Sequence, residues 1–125
     1  MDEVEIKRIT DAESLLAMRQ AVEHVFVDPD LEIYIASLVH ATRSDRRIAV
    51  GASPRGSLAL LKLTRAQAAL EGRDYIIPDD IKAYVVPALA HRLILEPEYW
   101  MKRQAVNEVL TQIIETVPVP VIHGI

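Results

Sequence analysis

Three stretches of this chain are punctuated in the same way: Asp28-Pro29-Asp30, Ser53-Pro54 and Pro78-Asp79-Asp80. A proline disrupts a helix interior because it has no N–H to donate, but at the first helical position none is needed. An Asp or Ser just ahead of it accepts from an orphan N–H, and acids in the first turn suit the positive end of the helix dipole. Behind these starts, apolar residues recur three and four apart. Leu31, Tyr34, Ile35, Leu38 and Val39 make one stripe, and Ile81, Tyr84, Val85, Ala88, Leu89 and Arg92 another. Such punctuation fits a bundle of helices.

The remaining elements follow the same logic. Thr10-Asp11-Ala12-Glu13 reads as a capping box opening a helix to about Val25, with Leu15, Leu16, Met18, Val22 and Val25 as its apolar positions. The second helix ends around Arg43. A third runs from Pro54 to about Glu71; its alanines admit close neighbours, Leu58, Leu61 and Leu70 fill the gaps, and Gly72 stops it. The fourth, from Pro78, is closed by His91-Arg92, with a kink or break expected at Pro87. A fifth spans Arg103 to Thr116, with Val106, Val109, Leu110, Ile113 and Ile114 on its face. Val25–Val27 and Arg73–Ile77 read as short extended links, Ile48–Val50 leads apolar into the Gly51 segment, and Arg46-Arg47 reads as a solvated loop tip. Leu95–Met101 is a turn whose Trp100 is expected to pack on the bundle edge. Pro118 and Pro120 prevent further helix and predict an extended tail over 118–125. The expected fold is all-α, a small bundle of about five helices with short extended connections.

Composition narrows the function. At 125 residues the chain suits one domain with a real core, and 5% aromatic residues make that core aliphatic. Eighteen acids against fourteen Lys and Arg leave a net charge of −4, which speaks against a nucleic-acid-binding face. Without cysteine there are no disulfides and no thiolate metal sites. His91 has no second ligand at metal spacing, so no metal site is expected. No apolar run approaches the ~20 residues of a membrane helix, and the charged start lacks a signal-peptide core. The expectation is a cytoplasmic protein without membrane insertion.

Gly51-Ala52-Ser53-Pro54-Arg55-Gly56-Ser57 carries the chemistry. Ser53 is a good N-cap and Pro54 a good first residue, which makes Arg55 a first-turn residue. A cation is out of place at the positive end of a helix unless an anion, most naturally a phosphate, comes between it and the backbone donors. The alternative is that Arg55 points into solvent or meets a carboxylate of a neighbouring helix.

Gly51–Arg55, the Ala- and Leu-rich helix behind it, Gly72–Lys82 and Leu89-Ala90-His91-Arg92-Leu93 together resemble the C-terminal helical lid of MoxR-type AAA+ ATPases. The resemblance implies that Arg55 is the sensor 2 arginine, acting on the γ-phosphate of ATP, with Ser53, Pro54 and Arg55 as nucleotide-contacting residues. It implies that residues 1–9 are a linker from a P-loop domain and 10–117 the lid. It further implies ATP and Mg²⁺ in the parent protein, ring-forming neighbouring subunits, and chaperone-like remodelling or maturation of partners such as von Willebrand factor A domain proteins. The chain has no GxxxxGK[ST] phosphate loop, so no ATPase activity is expected of it alone. A freestanding helical interaction domain, with Arg55 incidental, is the competing expectation. A helix-turn-helix reader of DNA is weaker because of the acidic balance. For a freestanding enzyme, no nucleophile has a base at usable spacing.

Overall fold

The computed structural model describes residues 4–121. In chain order it contains α1 (Ala12–Glu23), α2 (Pro29–Ser44), β1 (Ile48–Val50), α3 (Pro54–Leu70), α4 (Pro78–Leu89), β2 (Ile94–Leu95) and α5 (Ala105–Thr116). Short 3₁₀ turns cover Ala90–Arg92 and Pro97–Tyr99. The expected all-α bundle of five helices is what forms. The extended links join up: β1 pairs antiparallel with β2, Ile48 opposite Leu95 and Val50 opposite Ile94 with an irregularity between. Phe26 makes a parallel bridge to Tyr75, through Phe26 N–H to Asp74 O at 2.7 Å and Ile76 N–H to Phe26 O at 3.1 Å.

The core is aliphatic and central. Leu31, Tyr34, Ile35, Leu38 and Val39 of α2 meet Leu60 and Ala68 of α3, Ile81, Val85, Ala88 and Leu89 of α4, and Val109, Leu110 and Ile113 of α5. On α3 the buried stripe is Gly56, Leu60, Thr64 and Ala68, each four residues from the last. This corrects the expectation that Leu58 and Leu70 fill the gaps: both stand exposed. The small side chains face inward because the other helices lie close, and Thr64 satisfies its hydroxyl on the Leu60 and Leu61 carbonyls at 3.0 and 2.9 Å.

Several ends differ from the sequence expectation for physical reasons. The N-cap of α1 is Asp11 rather than Thr10, its carboxylate accepting from Ser14 N–H at 2.7 Å. No residue of α1 is buried; Leu15, Leu16 and Met18 are each more than half exposed. Helix α4 runs unbroken through Pro87, which faces solvent, and tightens into the 3₁₀ turn only at Ala90. Of the tip expected to be solvated, Arg46 is exposed, but Arg47 is tied down: it pairs with Asp45 at 2.7 Å and reaches Gln112 of α5. Trp100 is 65% exposed and Met101 93%, so this turn does not pack as expected, although the indole N–H holds Leu95 O at 2.8 Å. Residues 118–121 carry no regular structure, in keeping with an extended tail; 122–125 lie outside the described residues. No helix among the described residues is long and apolar enough to cross a membrane.

Candidate functional site

The Gly51–Ser57 segment is fastened from both sides. Ahead of it, Ala52 N–H donates to Thr42 Oγ1 at 3.0 Å, and that hydroxyl donates to Val39 O at 2.6 Å, so the loop is pinned to the last turns of α2. Gly51 has no room for a side chain: a Cβ there would come within 2.7 Å of the Arg43 Cα and 2.8 Å of its N. Behind it, Gly56 is buried against the end of α4. A Cβ at Gly56 would lie 3.0 Å from Leu89 Cδ2, 3.2 Å from Ala52 Cβ and 3.6 Å from Arg92 Cδ.

Ser53, in extended conformation, caps α3. Its Oγ accepts from Arg55 N–H at 3.3 Å and its carbonyl from Gly56 N–H at 2.8 Å, while Pro54 has no N–H. The first-turn donors of Arg55 and Gly56 are therefore engaged within the turn. The expectation of free backbone N–H groups beside Arg55 gives way to a simpler arrangement, in which an exposed guanidinium carries the charge. Arg55 is exposed, and no carboxylate lies within 4.0 Å of it among the described residues. The group left open toward solvent is a cation with five forked donors, which suits a phosphate better than a neutral ligand. Ser53 and Pro54 sit beside it and shape the turn.

The far end of α3 is locked by residues that spacing alone did not reveal. Gly72 takes the left-handed conformation, φ 76°, as expected of the stop. Arg73 then makes a forked pair with Asp80, two contacts of 2.7 Å, and donates to Tyr75 O at 3.1 Å. Asp80 is 4% exposed and also accepts from Ile77 N–H at 2.8 Å. The sequence marks Asp80 as a helix-start acid, which it is, but not as half of an ion pair seven residues long. Asp80 and then Glu71 push the Arg73 guanidinium still higher, and Arg73 with Gln67 holds Glu71 below the usual carboxylate range. This clamp ties the turn that leaves α3 to the first turn of α4. Arg92, read as a helix-closing cation, does close α4, its Nε donating to Ala88 O at 3.1 Å. Among the described residues no His, Cys, Asp and Glu cluster could hold a metal.

Comparison with known proteins gives the class of this helical bundle, in which Ser53 caps an arginine-bearing helix. Residues 40–113 match the family described as the AAA lid domain. The chain belongs to that family, and within it is a lid of the MoxR type. It is 36% identical over 127 residues to Protein MoxR of Methylorubrum extorquens, covering 90% of this chain and 37% of that protein. It is 38% identical over 110 residues to YeaC of Bacillus subtilis, itself uncharacterised, covering 87% and 34%. Chaperone MoxR1 of Mycobacterium tuberculosis is 30% identical over 128 residues, covering 95% and 34%. The fold superposes with a TM-score of 0.81 on a crystal structure from Cytophaga hutchinsonii provisionally described as an ATPase, at 29% identity over 87% of this chain and 36% of that one. The chain thus spans about a third of the length of the relatives it matches.

Proposed function

We propose that this lid closes over an ATP molecule held on a P-loop domain of a longer protein and presents Arg55 to its γ-phosphate. The observation that carries the reading is the state of Arg55: exposed, without a carboxylate partner, and rooted in a turn fixed at Gly51 and Gly56. Ser53 and Pro54 border the nucleotide, and the P-loop domain holds Mg²⁺. ATP supplies the transferable γ-phosphoryl group; the lid's part is to bring positive charge where negative charge crowds and to help keep water out. In this reading the lid also relays the nucleotide state to neighbouring subunits of a ring, which drives chaperone-like remodelling of partners, among them von Willebrand factor A domain proteins, in the cytoplasm. The chaperone name of the Mycobacterium tuberculosis relative supports that direction.

Arg55→Ala in the longer protein is expected to lower ATP turnover on the order of 10²–10³-fold, the usual loss for one donor to transition-state charge. Arg55→Lys restores only part of it, since an ammonium lacks the fork. Thermal melting should shift by no more than a surface substitution does, about 0.5 kcal/mol. Steady-state hydrolysis checks this, and parent-level turnover in Arg55→Ala ends the reading. The exposed Ile94, Trp100 and Met101 favour a second reading, a lid acting purely as a protein-binding module. That reading predicts no change in turnover from Arg55→Ala.

A further inference from the structure

The two glycines of the motif differ in what occupies the space they leave. At Gly51 it is the backbone of Arg43, a packing matter. At Gly56, next to Arg55, the neighbours are Leu89, Ala52 and the stem of Arg92, whose Cδ lies 3.6 Å from where a side chain would begin. Arg92 comes from the 3₁₀ turn after α4, thirty-six positions along the chain, and is half-buried. Its Nε is fixed on Ala88 O, so the guanidinium is not free to swing. Among the described residues its terminal nitrogens make no hydrogen bond, and no carboxylate lies within 4.0 Å of them. Closing a helix with a cation explains the Ala88 contact. It does not explain why the stem of a second arginine packs over Gly56 in the first turn of α3, where the helix dipole is already positive and Arg55 adds its own charge. Among the described residues no acid lies within 4.0 Å of either arginine, in a chain where acids outnumber Lys and Arg eighteen to fourteen.

We infer that Arg92 is a second phosphate-binding residue, sharing with Arg55 the terminal phosphate of a nucleoside triphosphate. The inference rests on the proposed function. Arg55, exposed and long, is the adjustable donor. Arg92, held by Ala88 O and packed over Gly56, is the fixed one, and it discriminates for a terminal phosphate by position. Two guanidiniums fit the multiple charge of that group better than one.

The test uses the longer protein that carries this lid, with equilibrium binding of a non-hydrolysable ATP analogue and of ADP. Arg92→Met keeps an unbranched stem over Gly56 while removing the charge, and Arg92→Lys keeps the charge without the fork. Arg92→Met is expected to weaken the analogue about tenfold, the scale of one charge-assisted hydrogen bond, and to leave ADP within about twofold of the parent. Arg92→Lys should fall between. Thermal melting of each variant separates lost contacts from lost fold. Parent-like affinity for the analogue in Arg92→Met, or an equal loss for ADP, overturns the inference. Arg55→Ala measured alongside separates the two claims. If it loses turnover while Arg92→Met binds like the parent, the proposed function stands and the role of Arg92 does not. If Arg55→Ala turns over at the parent rate, the proposed function falls, and this inference with it.

Discussion

Gly51 lies in a loop, Gly56 in the first turn of helix α3 and Gly72 just past its end, and each is glycine for a different reason. Only Gly72 uses a backbone conformation that other residues avoid. Gly51 is required by proximity, since the chain passes too close to the Arg43 backbone for any side chain. Gly51→Ala should therefore destabilise the lid by about 1–3 kcal/mol, the range for forcing atoms into a filled space. Urea unfolding measures it, and a neutral result would mean that α2 and the loop part more easily than the 2.7 Å approach implies. The sequence made Gly72 legible because a stop after a long apolar helix has a recognisable setting. It could not reveal why Gly51 must be glycine. That reason lies in a turn of α2 packed against it, and a string of letters carries no distances.

Among the elements, long helices were readable and short strands were not. Helices α2 and α3 each announce themselves with cap and proline, and both begin where those residues stand. Strands β1 and β2, of three and two residues, are too short for an alternating pattern, and their partners are more than forty residues apart. The stripe of α3 was misread for a related reason: leucines draw attention, whereas close helix packing selects Gly56, Thr64 and Ala68. The loop before β1 allows a test at this scale. Hydrogen bonds and charge from Arg47 hold the Asp45 carboxyl below its ordinary value of 3.8. A carboxylate with a lowered folded-state pKa contributes stability that is whole above its unfolded pKa and disappears as pH falls through the folded one. Asp45→Asn should thus cost about 1 kcal/mol at neutral pH, since the pair is partly screened by solvent. The gap between parent and variant should close below about pH 4. A gap that persists at pH 2 would assign the loss to packing instead of charge.

At the scale of the molecule, the lid buries an aliphatic centre and leaves large apolar side chains outside: Leu15, Leu16 and Met18 on α1, and Val50, Ile94, Trp100 and Met101 around the β1–β2 ribbon. Such groups commonly mark contact surfaces. The sequence displays these residues but cannot show which of them the fold leaves uncovered, so Trp100 was expected to be packed on the bundle edge and is instead largely exposed. As the single tryptophan it reports on its own setting. The separate lid should emit close to free tryptophan and be quenched readily by acrylamide, and a strongly blue-shifted, protected spectrum would place Trp100 in an interface. The firmness of α3 has a mechanical consequence. Its seventeen residues make a rod about 25 Å long, with Arg55 at one tip and the Arg73–Asp80 clamp just beyond the other. A tilt of about 10° about the clamped tip carries the Arg55 tip through about 4 Å. A small turn at the clamped end thus becomes a side-chain-sized stroke at Arg55, with no Pro or Gly between Gly56 and Gly72 to bend the rod.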